Sequence, residues 1–369
     1  MSELRPIAIY LPQFHPVPEN DEWWGKGFTE WTNVTKAKPR FKGHYQPHLP
    51  ADLGFYDLRV HQTQIDQAEL AKKYGIYGFC FYHYWFNGKR ILERPLEEML
   101  NKGTPDFPFC LCWANESWTK RWDGRDEDVL LKQEYSDEDD KQHINFLKKY
   151  FSDPRYIRVN GKPVFIVYRP SLFPDIKKTI ECWRKECREN GVGEIYLAFM
   201  QSFGNFKDPA ELGFDAAIEF QPNFSALPKE ITIGSGPGNF FKRFSLLKKS
   251  DKKQSTHDHV FLYDEVVENM LARPQPPYKR FPGVFPMWDN AARRQNGATI
   301  IHDSSPEKYG YWLKKVVERF KPYSPDENFI FINAWNEWAE GNHLEPCRKW
   351  GLKYLEETQK VFKNKKQDE

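Results

Sequence analysis

The sequence predicts a single (β/α)8 barrel of the α/β class, and three observations carry that expectation. Short runs rich in aromatic and β-branched residues recur along the chain, and helix-period segments separate most of them. Several runs are apolar on both faces, as strands covered by helices must be. The 369 residues suit one large barrel or two ordinary domains, and the alternation favours one barrel domain over 1–369.

The expected strands are IAIYLPQF (7–14), IYGFCFYHYW (76–85), FPFCLCWAN (107–115), VFIVYR (164–169), IYLAFM (195–200), AAIEFQP (216–222), GVFPMWDN (283–290) and FIFINAWNEW (329–338). Among the helices, 57–74 carries Val60, Ile65, Ala68 and Ala71 at helical spacing and stops before Gly75. Ser136 and Asp139 form a capping box ahead of Ile144, Leu147 and Phe151. The segment 175–190 stacks Ile176, Ile180, Trp183 and Cys187 on one stripe, Ser305 caps 306–320, and a last helix follows Pro346. Asn160-Gly161 between YIRV and KPVFIVY predicts a hairpin decorating the barrel.

A doubly wound sheet is the competing fold, but no GxGxxG follows the first strand and no Walker sequence is present. The run Gly234-Ser235-Gly236-Pro237-Gly238 reads as a loop, because it follows no strand and Pro237 removes an amide that a phosphate would need. Two connections are long: the one after the first strand, and the insertion 223–282 after the sixth. Both belong on the C-terminal face, where barrel active sites are built.

Lys and Arg total 54 against 52 Asp and Glu, a net charge of +2, which gives no field for nucleic acid or an anionic membrane. The expected partner is therefore neutral. Thirteen tryptophans in a chain of mean hydropathy -0.76 point to rings used beyond core filling. The N-terminal apolar run is interrupted by Pro and too short for a secretory signal, and no stretch has the length of a membrane span. A cytoplasmic protein without a transmembrane segment is expected. The six cysteines include no CxxC pair and read as buried free thiols.

If the barrel forms, polar and aromatic residues at the strand ends should converge on one mouth. They are Gln13 and His15 at the first strand, His83 and Trp85 at the second, and Trp113, Asn115 and Glu116 at the third. Glu219, Gln221 and Asn223 follow at the sixth, Trp288, Asp289 and Asn290 at the seventh, and Trp335, Asn336, Glu337 and Glu340 at the eighth, with His343 close behind. Trp23, Trp24, Trp31 and Trp118 would supply aromatic walls. Paired carboxylates among indoles suit glycosidic chemistry, since one acid protonates a leaving oxygen while the other acts as base or nucleophile. Tryptophan faces suit the C–H faces of a pyranose, so the expected partner is an oligosaccharide or polysaccharide, with no metal and no cofactor. Two Asp-x-Asp matches, Asp126-Glu127-Asp128 and Asp137-Glu138-Asp139, lie in charge runs that read as solvated surface. His44 and His48 have metal-ligand spacing, but Pro47 and Pro50 place them in an irregular loop.

The pieces YLPQFHP, DEWWGKGFTEWTNV, FCFYHYWF, WANESWTKRWDG, FPMWDNAARR and AWNEWAEGNHLEP resemble the WbsX family of bacterial surface-polysaccharide and O-antigen gene clusters. That family is glycosyltransferase-like and shares a domain with glycoside hydrolase family 99, the endo-α-mannosidases and endo-α-mannanases. The likeness spans about 5–354. It implies a retaining barrel working through a 1,2-anhydro sugar, with the motif Asn336-Glu337-Trp338-Ala339-Glu340-Gly341 at its centre. By that resemblance Glu337 is the base at the substrate's 2-hydroxyl and Glu340 the general acid; Ala339 stands where the hydrolases carry a histidine. The competing expectations are a nucleotide-sugar-dependent glycosyltransferase of lipopolysaccharide biosynthesis and a non-catalytic glycan-binding barrel.

Overall fold

The computed structural model describes residues 3–120, 125–202, 204, 206–231 and 257–367. Its centre is a ring of parallel strands: β1 (Arg5–Tyr10), β2 (Gly78–His83), β3 (Phe109–Trp113), β4 (Lys162–Val167), β5 (Tyr196–Gln201), β6 (Ala216–Glu219), β7 (Arg280–Phe281), β8 (Gly283–Val284) and β9 (Phe329–Ile332). The hydrogen-bonded order is β7-β6-β5-β4-β3-β2-β1-β9-β8. Pro282 alone joins β7 to β8, so the chain itself closes the ring. It has no N–H for the ladder, which breaks this position into two pieces, while its carbonyl accepts from Phe331 N at 2.9 Å. Gly283 is required here: a Cβ would lie 2.0 Å from the Glu219 carbonyl oxygen.

The helices are α1 (Pro18–Trp24), α2 (Glu30–Lys36), α3 (His61–Lys73), α4 (Arg94–Lys102), α5 (Asp137–Phe151), α6 (Ile176–Glu189), α7 (Pro209–Leu212), α8 (Tyr263–Ala272), α9 (Pro306–Arg319) and α10 (Lys353–Gln367). Their starts are written in the sequence. Ser136 accepts from Asp139 N, Asp175 from Lys177 N and Lys178 N, and Ser305 from Lys308 N. The helical stripes then bury against the ring, with Trp183, Leu147 and Leu313 fully enclosed. The hairpin at Asn160-Gly161 forms with both residues at positive φ, 48° and 78°, as a two-residue turn of this type requires.

The helix expected over 57–74 begins only at His61, because Asp57 turns back to accept from Arg59 N at 2.8 Å. The strand expected over 283–290 is cut short. Trp288–Asp289 instead pairs antiparallel with Thr299–His302, which pairs in parallel with His259–Leu262, in a separate three-stranded sheet. That sheet, α8 and β7 show that the 223–282 connection is not a plain loop; its Gly234–Gly238 run lies outside the described residues. The strand expected over 329–338 ends at Ile332, and Asn336–Glu337 forms a small ribbon with Asn342–His343. The six cysteines are free thiols, five of them buried. Among the described residues no helix is long and apolar enough to cross a membrane.

Candidate active site

The chain leaving β9 is pinned by Asn336. Its side chain accepts from Leu11 N at 2.8 Å and donates to Leu11 O at 3.0 Å, extending the sheet edge of β1. Side chains alternate in an extended segment, so fixing Asn336 onto β1 turns Glu337 the other way, into a cleft also lined by Leu11 and Gln13. A single turn over Trp338–Glu340 then brings Glu340 to the same cleft. Gly341 ends this turn at φ 55°, where a Cβ would press on Asp289 at 3.0 Å.

Between the two carboxylates lies Arg293. Its guanidinium donates to Glu340 Oε1 at 2.6 Å and Glu337 Oε2 at 2.9 Å, and its Nη2 is 3.1 Å from Glu30 Oε2. Asp289 fixes the preceding turn by accepting from Ala291 N at 2.9 Å, and is itself held by His44 and Gln46, each at 2.6 Å. Three carboxylates thus share one nearly buried cation, whose side chain is 13% exposed. Burial is the largest influence on Glu337, and with the Glu340 and Glu30 charges it outweighs Arg293, pushing the carboxyl from 4.5 up to about 8. Burial likewise raises Glu30. Glu337 therefore holds a proton at neutral pH when the cleft is empty.

The cleft has a volume of about 340 Å³, within the range of small-molecule sites. Trp24, Trp118, Trp288, Tyr82, Tyr84 and Tyr168 give it ring faces, and Glu116, paired with Arg169, stands on its wall. Of the strand-end and wall residues read from sequence, Gln13, Trp24, Glu116, Trp118, Trp288 and Asn290 line it with Glu337 and Glu340. The others serve the scaffold. His83 and Trp113 are register partners on the face of β2 and β3 that meets the helices: His83 Nε2 is 2.9 Å from His143 Nε2, and Trp113 packs on Trp183. Burial lowers His83 to about 3. Trp85 donates to Asp139 on α5 at 2.8 Å, which also explains why Asp139 does not complete a capping box.

Trp31, on α2, is buried and donates to Tyr56 O at 2.8 Å. Trp335 is enclosed against Phe79, and His343 stacks on Trp338 with ring centroids 3.8 Å apart. Asn115 accepts from Arg169 N and donates to Arg169 O, while Gln221 accepts from Asn223 N. His15 contacts Pro12 O at 3.0 Å, and burial lowers it to about 4. Asp289 faces away from the cleft, toward a second pocket. The sequence reading missed Arg293, Glu30, Tyr82, Tyr84 and Tyr168. Only strand parity could have found the tyrosines: Tyr82 and Tyr84 alternate with His83 and Trp85.

Glu345, the third acid of the C-terminal motif, accepts from Gln67 and Trp338 at 2.6 Å each and from Tyr56 at 2.8 Å. Burial raises it to about 7, and it acts as a pillar beneath the site. His44 and His48 are committed to Asp289 and His343. Among the described residues Glu230, His257 and His259 bring three potential metal-ligand atoms within 4.8 Å of one another, and none of them lines the cleft. The side chains of Asp126–Asp128 lie outside the described residues, and Asp137 and Asp139 begin α5.

The fold is that of known glycan enzymes. A protein described as glycoside hydrolase-like superposes with a TM-score of 0.60 at 14% identity, covering 98% of this chain and 94% of the other. The glycoside hydrolase family 99 endo-α-mannosidase of Bacteroides thetaiotaomicron, in complex with bis-tris propane, superposes at 0.59 with 13% identity and 98% of both chains covered. At these identities the likeness is one of fold. Two proteins named WxcX, described as uncharacterized, from Xanthomonas campestris pv. campestris strains B100 and ATCC 33913, are each 46% identical over 357 residues. The match covers 96% of this chain but 49% of theirs, so the chain spans about half the length of these curated relatives. Residues 6–358 match the family described as glycosyltransferase WbsX, and with that coverage the chain belongs to the WbsX family.

Proposed function

We propose that this chain is a retaining carbohydrate-active enzyme that cleaves or transfers glycosidic bonds of a bacterial surface glycan through Glu337 and Glu340. The observation that carries the reading is the triad of Glu337, Arg293 and Glu340 in an aromatic cleft at the C-terminal end of the barrel. In the first step Glu337, deprotonated, takes the proton of the substrate's 2-hydroxyl as that oxygen attacks the anomeric carbon. The bond to the leaving oxygen breaks, and Glu340 protonates that oxygen. In the second step a hydroxyl, from water or a sugar acceptor, opens the 1,2-anhydro ring at the anomeric carbon. Glu340 takes the incoming proton and Glu337 returns one to O2. Two inversions give net retention.

These roles require Glu337 to release the proton it holds in the empty cleft before O2 attacks. A base with a pKa of about 8 is strong once ionised and matched to near-neutral operation. Arg293 stays charged and spans both acids, so it can follow the negative charge as the proton passes between states. Glu340, with 21% of its side chain exposed against 6% for Glu337, is the more open of the two toward an incoming leaving group.

The family's description as a glycosyltransferase favours one other reading, in which the donor is a nucleotide sugar. Calorimetry with UDP-, GDP- and dTDP-sugars beside short O-antigen-like oligosaccharides separates the two. Recognition through sugars alone is expected. Tight binding of one nucleotide sugar that persists with the bare nucleotide would replace the glycosidase-type reading with the nucleotide-dependent one.

A further inference from the structure

A second pocket, of about 210 Å³, shares Trp288 with the carboxylate cleft, and Gly341 and Asp289 on its lining are chain neighbours of Glu340 and Asn290. Its volume is of the order of one monosaccharide. Tyr45, Trp288 and Trp350 give it flat apolar faces, and Ser304, Ser305 and His302 give it polar edges. The Trp288 indole N–H, buried between the two pockets, has no hydrogen-bond partner among the described residues.

The charges of this pocket are unevenly engaged. Asp289 is taken by His44 and Gln46, and Asp303 by Lys308 at 2.7 Å. Lys349 is different. Its ammonium lies 4.5 Å from the Tyr45 ring centroid and 4.7 Å from that of Trp350, and it forms no ion pair with any described carboxylate. Two ring faces flank this exposed lysine at the pocket rim, and no described residue accepts a hydrogen bond from its ammonium. Asp303, at φ 64°, shapes the rim beside it in a conformation that non-glycine residues seldom adopt.

We propose that this pocket is a sugar subsite for an anionic monosaccharide unit, one bearing a carboxylate or phosphate, with Lys349 reading the charge and Trp350 and Tyr45 the ring. The proposal rests on the glycan reading above and narrows it. The catalytic acids would act on a glycan, or toward an acceptor, that carries a charged unit on the far side of Trp288. A neutral unit would leave the Lys349 ammonium to water and its ring contacts, whereas an anion adds charge-assisted hydrogen bonds.

The test uses the full chain and three probes, glucose, glucuronate and glucose 6-phosphate, followed by saturation-transfer NMR and by quenching of tryptophan fluorescence. One or both anions should bind about tenfold more tightly than glucose, the scale of one charge-assisted hydrogen bond. Whichever anion binds better names the group. Lys349→Met should abolish the preference, Trp350→Ala should weaken all three probes, and Glu337→Gln should leave the preference intact because the binding lies outside the carboxylate cleft. Added salt should reduce the preference. Equal binding of all three probes, or a preference that survives Lys349→Met, would overturn the proposal. Loss of the preference in Glu337→Gln with its retention in Lys349→Met would move the binding to the cleft and equally overturn it. These readouts need no turnover, so a failure here stays distinct from a failure of the glycosidic mechanism.

Discussion

Glu337→Gln should stabilise the protein while disabling it, and the stabilisation should grow with pH. The wild-type carboxyl is raised from 4.5 to about 8 by burial beside Glu340 and Glu30, so the folded state holds its proton more tightly than the unfolded chain does. A group raised in this way contributes fully below the unfolded value, and the contribution is lost as pH rises through the folded one. At pH 7 the wild type has lost about 3 kcal/mol, from roughly 2.5 pH units at 1.36 kcal/mol each. Glutamine keeps the shape and the neutral state but does not titrate. The variant should therefore match the wild type near pH 4 and exceed it by about 3 kcal/mol at pH 7. For a chain of this length that is a melting temperature higher by about 4 °C. Scanning calorimetry of both proteins from pH 4 to pH 9 measures the difference directly. A difference that does not change with pH would mean that Glu337 is not the acid carrying the shifted proton.

Glu340→Gln should lower turnover by about 10² to 10⁴ with little change in oligosaccharide affinity, read from kcat and calorimetry, because proton delivery to the leaving oxygen is lost and the binding surface is not. Arg293→Met leaves three acids facing one another, and should cost about 3 kcal/mol or more at pH 8 in denaturant unfolding, with recovery toward pH 5 as the carboxyls protonate. Glu345→Ala removes the acceptor shared by Tyr56, Gln67 and Trp338, and should cost about 3 kcal/mol in the same assay.

The barrel was legible because buried parallel strands leave long apolar runs and the helices between them keep their caps and stripes. Runs at 76–85 and 107–115 became β2 and β3, and Ser136 and Ser305 cap as their positions imply. Strand ends were legible only in part. A polar or aromatic residue there faces the mouth or the helices according to parity, and His83 and Trp113 fall on the helix side while Tyr82 and Ala114 line the cleft. The small sheet of 259–262, 288–289 and 299–302 was hidden because its strands are short and their partners distant. Arg293 was hidden for a related reason. It follows a one-turn helix in a loop, where no periodicity distinguishes it from Arg294, and its importance arises only when Glu30, Glu337 and Glu340 are brought to it from elsewhere in the chain.

The central claim is that Glu337 and Glu340 perform a double displacement at an anomeric carbon. The most direct measurement is proton NMR of the first product formed from an O-antigen-like oligosaccharide, followed before mutarotation, with wild type, Glu337→Gln and Glu340→Gln in parallel. The wild type should release or transfer the sugar with its anomeric configuration unchanged, and neither variant should form product at a comparable rate. Inversion of the anomeric centre, or wild-type rates in either variant, would contradict the claim.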